Sequence, residues 1–440
     1  MTGIFLQTPA YQQLILSKVC QELYNDTICE NIQQNQHHLK SIQSKGSYLI
    51  LIYIAIMSLL SIIPALILGT CSDVGSRKPG MALPCIFSIA AGGLLIVVDY
   101  LKTMNVYWTF GAAALIGISG GHVAMFLSVF SYLADVTKNS NRTLRMGIAE
   151  SMIFIGGMLG FFLGGNLMQY STFTVIFGIF CGCNLIATIF VIFWLQESTQ
   201  NNDDQSLYQE CHCNENQEVT QETSVSIYIK RAFQSIFRHR EAQNRLKIHL
   251  ILICIFLINL CNVGEQSIML MYLSYPPRLF SNQMYGWFTS SKMLISGLCL
   301  LCSFHCLLTH VEETTLAKIG ILMRAASFLL LAFSTTKWMV FLSSIINAPS
   351  GYTMAVLRSL SSKIAHPSEQ GAMFSFLASV ETICLLVGAA LFNGLYPETL
   401  STFPGICFII MATFQIITLV LTQWISEIPT AHPMVLINEE

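Results

Sequence analysis

Eleven apolar stretches, each long enough to cross a bilayer as a helix, recur along the chain near 48–68, 81–100, 107–133, 146–168, 172–195, 249–273, 285–308, 316–335, 338–360, 372–395 and 403–425. A spanning helix needs about 20 apolar residues, and in lipid only helices or closed barrels satisfy every backbone donor and acceptor. The pattern therefore predicts an all-α polytopic membrane protein. Residues 1–17 are apolar only in part, because Gln7, Pro9, Gln12 and Gln13 interrupt them. They are too short to cross and are expected to be the end of a truncated first helix, with roughly 20 further residues upstream in a longer gene product. They lack the basic segment and small-residue cleavage pattern of a signal peptide.

Composition narrows the function. Hydrophobic residues make up 53 % and charged residues 10 % of the chain, against roughly 25 % charged in soluble domains. A net charge of −2 argues against a nucleic-acid partner. Most of the fifteen cysteines lie in apolar runs, such as Cys181, Cys183, Cys299 and Cys302, where thiols behave as small hydrophobes. Cys20 and Cys29 sit in a loop where oxidation is plausible. Cys211-His212-Cys213 is too crowded for standard zinc spacing. With no nucleophile elbow, metal-spaced cluster or phosphate loop, no cofactor and no enzymatic activity are expected.

Basic residues orient the chain. One side carries Arg77, Lys78, Lys138, Arg142, Arg145, Lys318, Lys363 and six residues of the 197–247 segment, thirteen in all. The other carries Lys18, Lys40, Lys45, Lys102, Arg278 and Lys337, six in all. The richer side is expected to be cytoplasmic. This divides the chain into an N-terminal helical half (1–196), a cytoplasmic linker (197–247), a C-terminal helical half (248–425) and a cytoplasmic tail (426–440). Residues 197–223 have a disordered composition, and residues 226–247 mix apolar and basic side chains like a helix lying on the inner leaflet. Trp194-Leu-Gln-Glu197 and Trp424-Ile-Ser-Glu427 close the two halves as a faint internal repeat.

Two glycosylation sequons turn that orientation into a measurement. Asn25-Asp-Thr27 falls outside and Asn141-Arg-Thr143 inside, so only Asn25 is expected to carry a glycan. An Asn25→Gln protein should lose the endoglycosidase-sensitive shift on a gel. Loss of that shift in Asn141→Gln instead would invert the topology.

Charges inside spans carry the functional argument, since each is costly unless paired or facing water. They are Glu150, Glu265, Lys292, Arg324, Arg358 and Glu381. Glu265 and Arg324 read as interfacial or snorkelling residues. Glu150 can load and release a proton as access alternates, and Arg358 can clamp an anionic group bidentately. Gly156, Gly160 and Gly164 form a small-residue stripe suited to close helix packing.

Three runs give a specific resemblance: 134–150 (ADVTKNSNRTLRMGIAE), 369–382 (EQGAMFSFLASVET) and 392–400 (FNGLYPETL). Together with the loop GTCSDVGSRKP at 69–79, they resemble solute carrier family 46 of the major facilitator superfamily, with likeness from residue 6 to about 425. The resemblance implies the major facilitator fold of two six-helix halves and alternating-access transport. It implies that Asp73, Arg77, Asp135 and Arg145 are gating residues, that Glu150 couples to protons, and that Arg358 acts in coupling and substrate binding. Asp73 can face the start of the eleventh helix near Gly371, and Arg77 and Arg145 can pair with Asp135.

The departures shape the substrate. Ser76 stands where the gate signature has glycine, Asn262 where the folate branch has histidine, Lys292 where that branch is neutral, and Leu279-Phe280 where it has Cys-Trp. The expected partners are an organic anion, with Lys292, Arg358 and Asn262 lining its site, together with protons and the lipid bilayer of the plasma or lysosomal membrane. The alternative is a membrane receptor or scaffold that no longer transports.

Overall fold

The computed structural model describes residues 1–24, 29, 36–74, 77–137, 142–196, 242–308, 310–364, 370–400 and 402–428, and among these it contains helices and no strand. The N-terminal half comprises α1 (Thr2–Leu23), α2 (Gln36–Val74), α3 (Lys78–Tyr100), α4 (Thr109–Ile118), α5 (Gly121–Val136), α6 (Arg142–Tyr170) and α7 (Phe173–Ile189). The C-terminal half comprises α8 (Ala242–Ser274), α9 (Asn282–Leu308), α10 (Glu313–Ala332), α11 (Lys337–Ile346), α12 (Gly351–Ile364), α13 (Gln370–Thr399) and α14 (Ile406–Glu427). The pairs α4/α5 and α11/α12 each make one crossing, over Val106–Leu133 and Lys337–Ser361.

Ten helical stretches among the described residues are long and apolar enough to cross a membrane. They match ten of the eleven expected spans. The remaining one corresponds to α9, a helix of 27 residues. Three sequence expectations change in detail. Helix α1 runs on to Leu23 instead of ending near residue 17, its polar Gln7 and Gln12 buried against neighbours. Helix α2 begins at Gln36, twelve residues before the apolar run, because Leu39, Ile42 and Gln43 form a buried i, i+3, i+4 stripe. Residues 242–247, expected on the inner leaflet, are instead the first turns of α8, with Lys247 buried and donating to the Ile428 carbonyl. Residues 197–241, including Cys211-His212-Cys213 and the rest of the amphipathic segment, lie outside the described residues, as do Asn25 and Asn141.

The crossing at 106–136 breaks in its middle, which apolar content alone does not disclose. Gly120 and Gly121 have φ of 83° and 62°, a left-handed conformation that glycine adopts without penalty. The glycine stripe on α6 packs as expected. A Cβ on Gly160 would lie 2.6 Å from the Thr2 carbonyl oxygen, so α1 rests directly on the α6 backbone.

The two halves meet along α6–α9 and α2–α13. Near the ends of α6 and α9, a Cβ on Gly165 would sit 2.6 Å from the Gly286 Cα, and the converse holds. At that same end, called outer from the distribution of basic residues, Gln43 donates to the Met271 carbonyl at 3.1 Å and Ser47 to the Asn393 carbonyl at 2.8 Å. Tyr11 stacks on Tyr53 with centroids 4.4 Å apart. These buried groups join one core with Tyr272, Phe392 and Tyr396 of the other half. The halves are thus packed against each other at that end. A cavity of about 320 Å³ persists there, lined from both halves by Gln13, Gln43, Gln169, Met271 and Asn282 and bordered by the Cys20–Cys29 disulfide. The two loop cysteines bond to each other.

Candidate functional site

The in-span charges assemble into two clusters. The first lies at the seam between the halves. Arg358 on α12 donates through Nη1 to Glu150 Oε1 on α6 and through Nη2 to Glu381 Oε1 on α13 at 2.9 Å. Its guanidinium also lies 5.0 Å from the centroid of Phe130 on α5. The three ionic side chains are only 14–21 % exposed. Arg358 is thus held to the N-terminal half by Glu150 and Phe130, and to its own half by Glu381. Sequence reasoning nominated Arg358 as the anion clamp, yet both terminal nitrogens already serve carboxylates. With both carboxylates ionised, the cluster carries one excess negative charge, which one proton cancels.

The second cluster lies within the C-terminal half. Glu265 on α8 accepts from Lys292 Nζ on α9 and, at 3.1 Å, from Arg324 Nη2 on α10. Their side chains are 9 %, 15 % and 13 % exposed. This corrects the interfacial reading of Glu265 and Arg324. Both face inward, because the helix rotation that buries Leu316, Ile321 and Phe328 on α10 also turns Arg324 towards α8. Only position on the helix face could have signalled it. Asn262, one turn below Glu265, donates to Asn259 Oδ1 at 3.3 Å.

Of the expected gating residues, Arg77 is buried at the start of α3 and Arg145 is exposed on the first turns of α6. The side chains of Asp73 and Asp135 lie outside those described.

Ten apolar spans among the described residues, a two-half seam and buried ion clusters define a polytopic carrier of the alternating-access class. The chain belongs to the major facilitator superfamily, whose family model matches residues 36–305. It is 25 % identical to the proton-coupled folate transporter of Rattus norvegicus, with 98 % of this chain and 91 % of the relative covered. It is also 25 % identical to the lysosomal proton-coupled steroid conjugate and bile acid symporter SLC46A3 of Gallus gallus, covering 96 % and 90 %. Among solved structures, it superposes on the human organic anion transporter MFSD10 with a TM-score of 0.68 at 15 % identity, covering 96 % of this chain and 97 % of that one. The E. coli fucose:proton symporter matches with a TM-score of 0.57 at 12 % identity, covering 97 % and 100 %. These last two establish the fold.

Proposed function

We propose that this chain is a proton-coupled symporter of organic anions in the plasma or lysosomal membrane. The carrying observation is the cluster in which Glu150 of one half and Glu381 of the other share the guanidinium of Arg358. A proton on Glu150 neutralises the surplus charge and loosens its tie to Arg358 across the seam. Loading and unloading that proton thereby becomes linked to whether the halves are held together on the inner side. The relatives named for folate and for bile acids with proton coupling support this reading. Asp73, Arg77, Asp135 and Arg145 are proposed to tie the inner ends of the helices in the opposite phase of the cycle. Lys292 and Asn262 are proposed to face the solute.

The test is uptake of labelled taurocholate and folate into proteoliposomes holding the purified full chain. An outside pH one unit below the inside should concentrate at least one of these anions, and a protonophore should abolish the accumulation. Equal uptake with and without the gradient would reject proton coupling. No uptake above empty liposomes would favour a non-transporting receptor.

A further inference from the structure

The cluster of Glu265, Lys292 and Arg324 has a charge balance opposite to that of the Glu150 cluster. Two basic side chains share one carboxylate, which with all three ionised leaves a surplus of one positive charge among buried side chains. A lone structural ion pair needs no third member, and an uncompensated buried cation is expensive. The donors around it are also not exhausted. Arg324 Nε and Asn259 Nδ2 are buried and have no hydrogen-bond partner. Gln12 of α1 reaches across the seam to donate to the Gln266 carbonyl, adjacent to Glu265, at 3.2 Å, while its own Oε1 is unpartnered.

An apolar surface adjoins these donors. Next to Lys292, the Met293 side chain lies against Gly157 of α6, within 3.4 Å of where a Cβ there would point, as does Phe5. Phe161 packs between Phe5 at 5.4 Å and Tyr285 at 6.4 Å, centroid to centroid. Rings from α1, α6 and α9 thus cover the seam one to two turns from Lys292. The same register separates this cluster from the first. Lys292 is level with Gly157, seven residues beyond Glu150 on α6, which is about 10 Å at 1.5 Å rise per residue.

The geometry points to a division of labour: Lys292 and Arg324 form an oxyanion subsite for the carboxylate, sulfonate or sulfate of an amphiphilic organic anion, and Glu265 is the built-in placeholder that the ligand's oxyanion displaces. This rests on the organic-anion reading above and reassigns the anion within it, away from Arg358. Arg324 presents a planar fork suited to an oxyanion, Lys292 adds a second charge, and the aromatic seam takes the apolar body. The proton goes to the net-negative cluster and the anion to the net-positive one. Each cluster reaches neutrality when loaded.

A charge ladder tests the subsite. Taurocholate and folate are titrated calorimetrically, at one pH and without any gradient, into the full chain in lipid nanodiscs. The cluster carries +1 in the native protein, +2 in Glu265→Gln, 0 in Lys292→Gln and +1 in the double variant. For at least one probe, Glu265→Gln should bind about tenfold more tightly than the native chain and Lys292→Gln at least about tenfold more weakly, with the double variant within about threefold of native. The double variant keeps the test valid if a single substitution fails to fold. A merely structural ion pair predicts that both single variants lose affinity together. Glu265→Gln binding no tighter than native, unchanged binding by Lys292→Gln, or no binding of either probe by the native chain would overturn the subsite. Because no gradient is applied, the ladder stands or falls independently of proton-driven uptake.

Discussion

Proteoliposomes carrying the Glu150→Gln protein are expected to equilibrate the transported anion but not to concentrate it. The amide keeps the size of the side chain and can still accept from Arg358, so the packing between α6 and α12 should survive. What it cannot do is carry a proton from one side to the other. With Glu150 neutral, Arg358 and Glu381 form a balanced pair, and the cluster is permanently in its loaded charge state. For one proton per monoanion, the limit of accumulation is about tenfold per pH unit, equivalent to about 1.4 kcal/mol. The native chain should approach that limit. The variant should remain at a ratio near one while exchanging external label for internal unlabelled anion. Tracer accumulation and counterflow in the same vesicles separate the two behaviours. Gradient-driven accumulation undiminished by the substitution would remove Glu150 from the coupling step.

Arg358→Ala should be more damaging, because it removes the cation from between two carboxylates of opposing halves. Breaking a buried ion pair by deleting one partner costs about 3–5 kcal/mol, which a thermal unfolding curve of the purified protein will register as a large drop in midpoint. Transport should fall below detection. Arg358→Lys should recover little of it, because a point charge on a flexible stem cannot span Glu150 on α6 and Glu381 on α13 as the planar fork does. The Arg358→Gln/Glu381→Gln double variant restores the native charge balance and should regain much of the stability without regaining uptake. That contrast separates a coupling role from a purely structural one. Equal recovery of stability and transport in the double variant would assign Arg358 to packing alone.

The parts of this mechanism differ in how far they were legible beforehand. Glu150, Arg358 and Lys292 stood out because an ionisable residue in an apolar run is expensive wherever it points. Their partners did not stand out. Glu150 and Arg358 are 208 positions apart, and nothing in either run says that the two helices meet. Glu265 and Arg324 were misjudged because a one-dimensional reading gives depth along a helix but not rotation about it. Rotation decides whether a charge at a given depth faces lipid, water or another charge.

The sequence by itself determined the helical crossings, the expected orientation and the fold family, since bilayer thickness and backbone satisfaction translate directly into run length and loop charge. It also limited the functional charges to a handful. Only the tertiary structure decided how those charges divide into a net-negative cluster across the seam and a net-positive one inside the C-terminal half. It alone disclosed the break at Gly120-Gly121 and the contacts of Gln43 and Ser47 that join the halves. The reason is physical. Crossing a membrane is a local property of about 20 consecutive residues, whereas pairing a buried charge depends on how helices far apart in sequence are rotated and packed against one another.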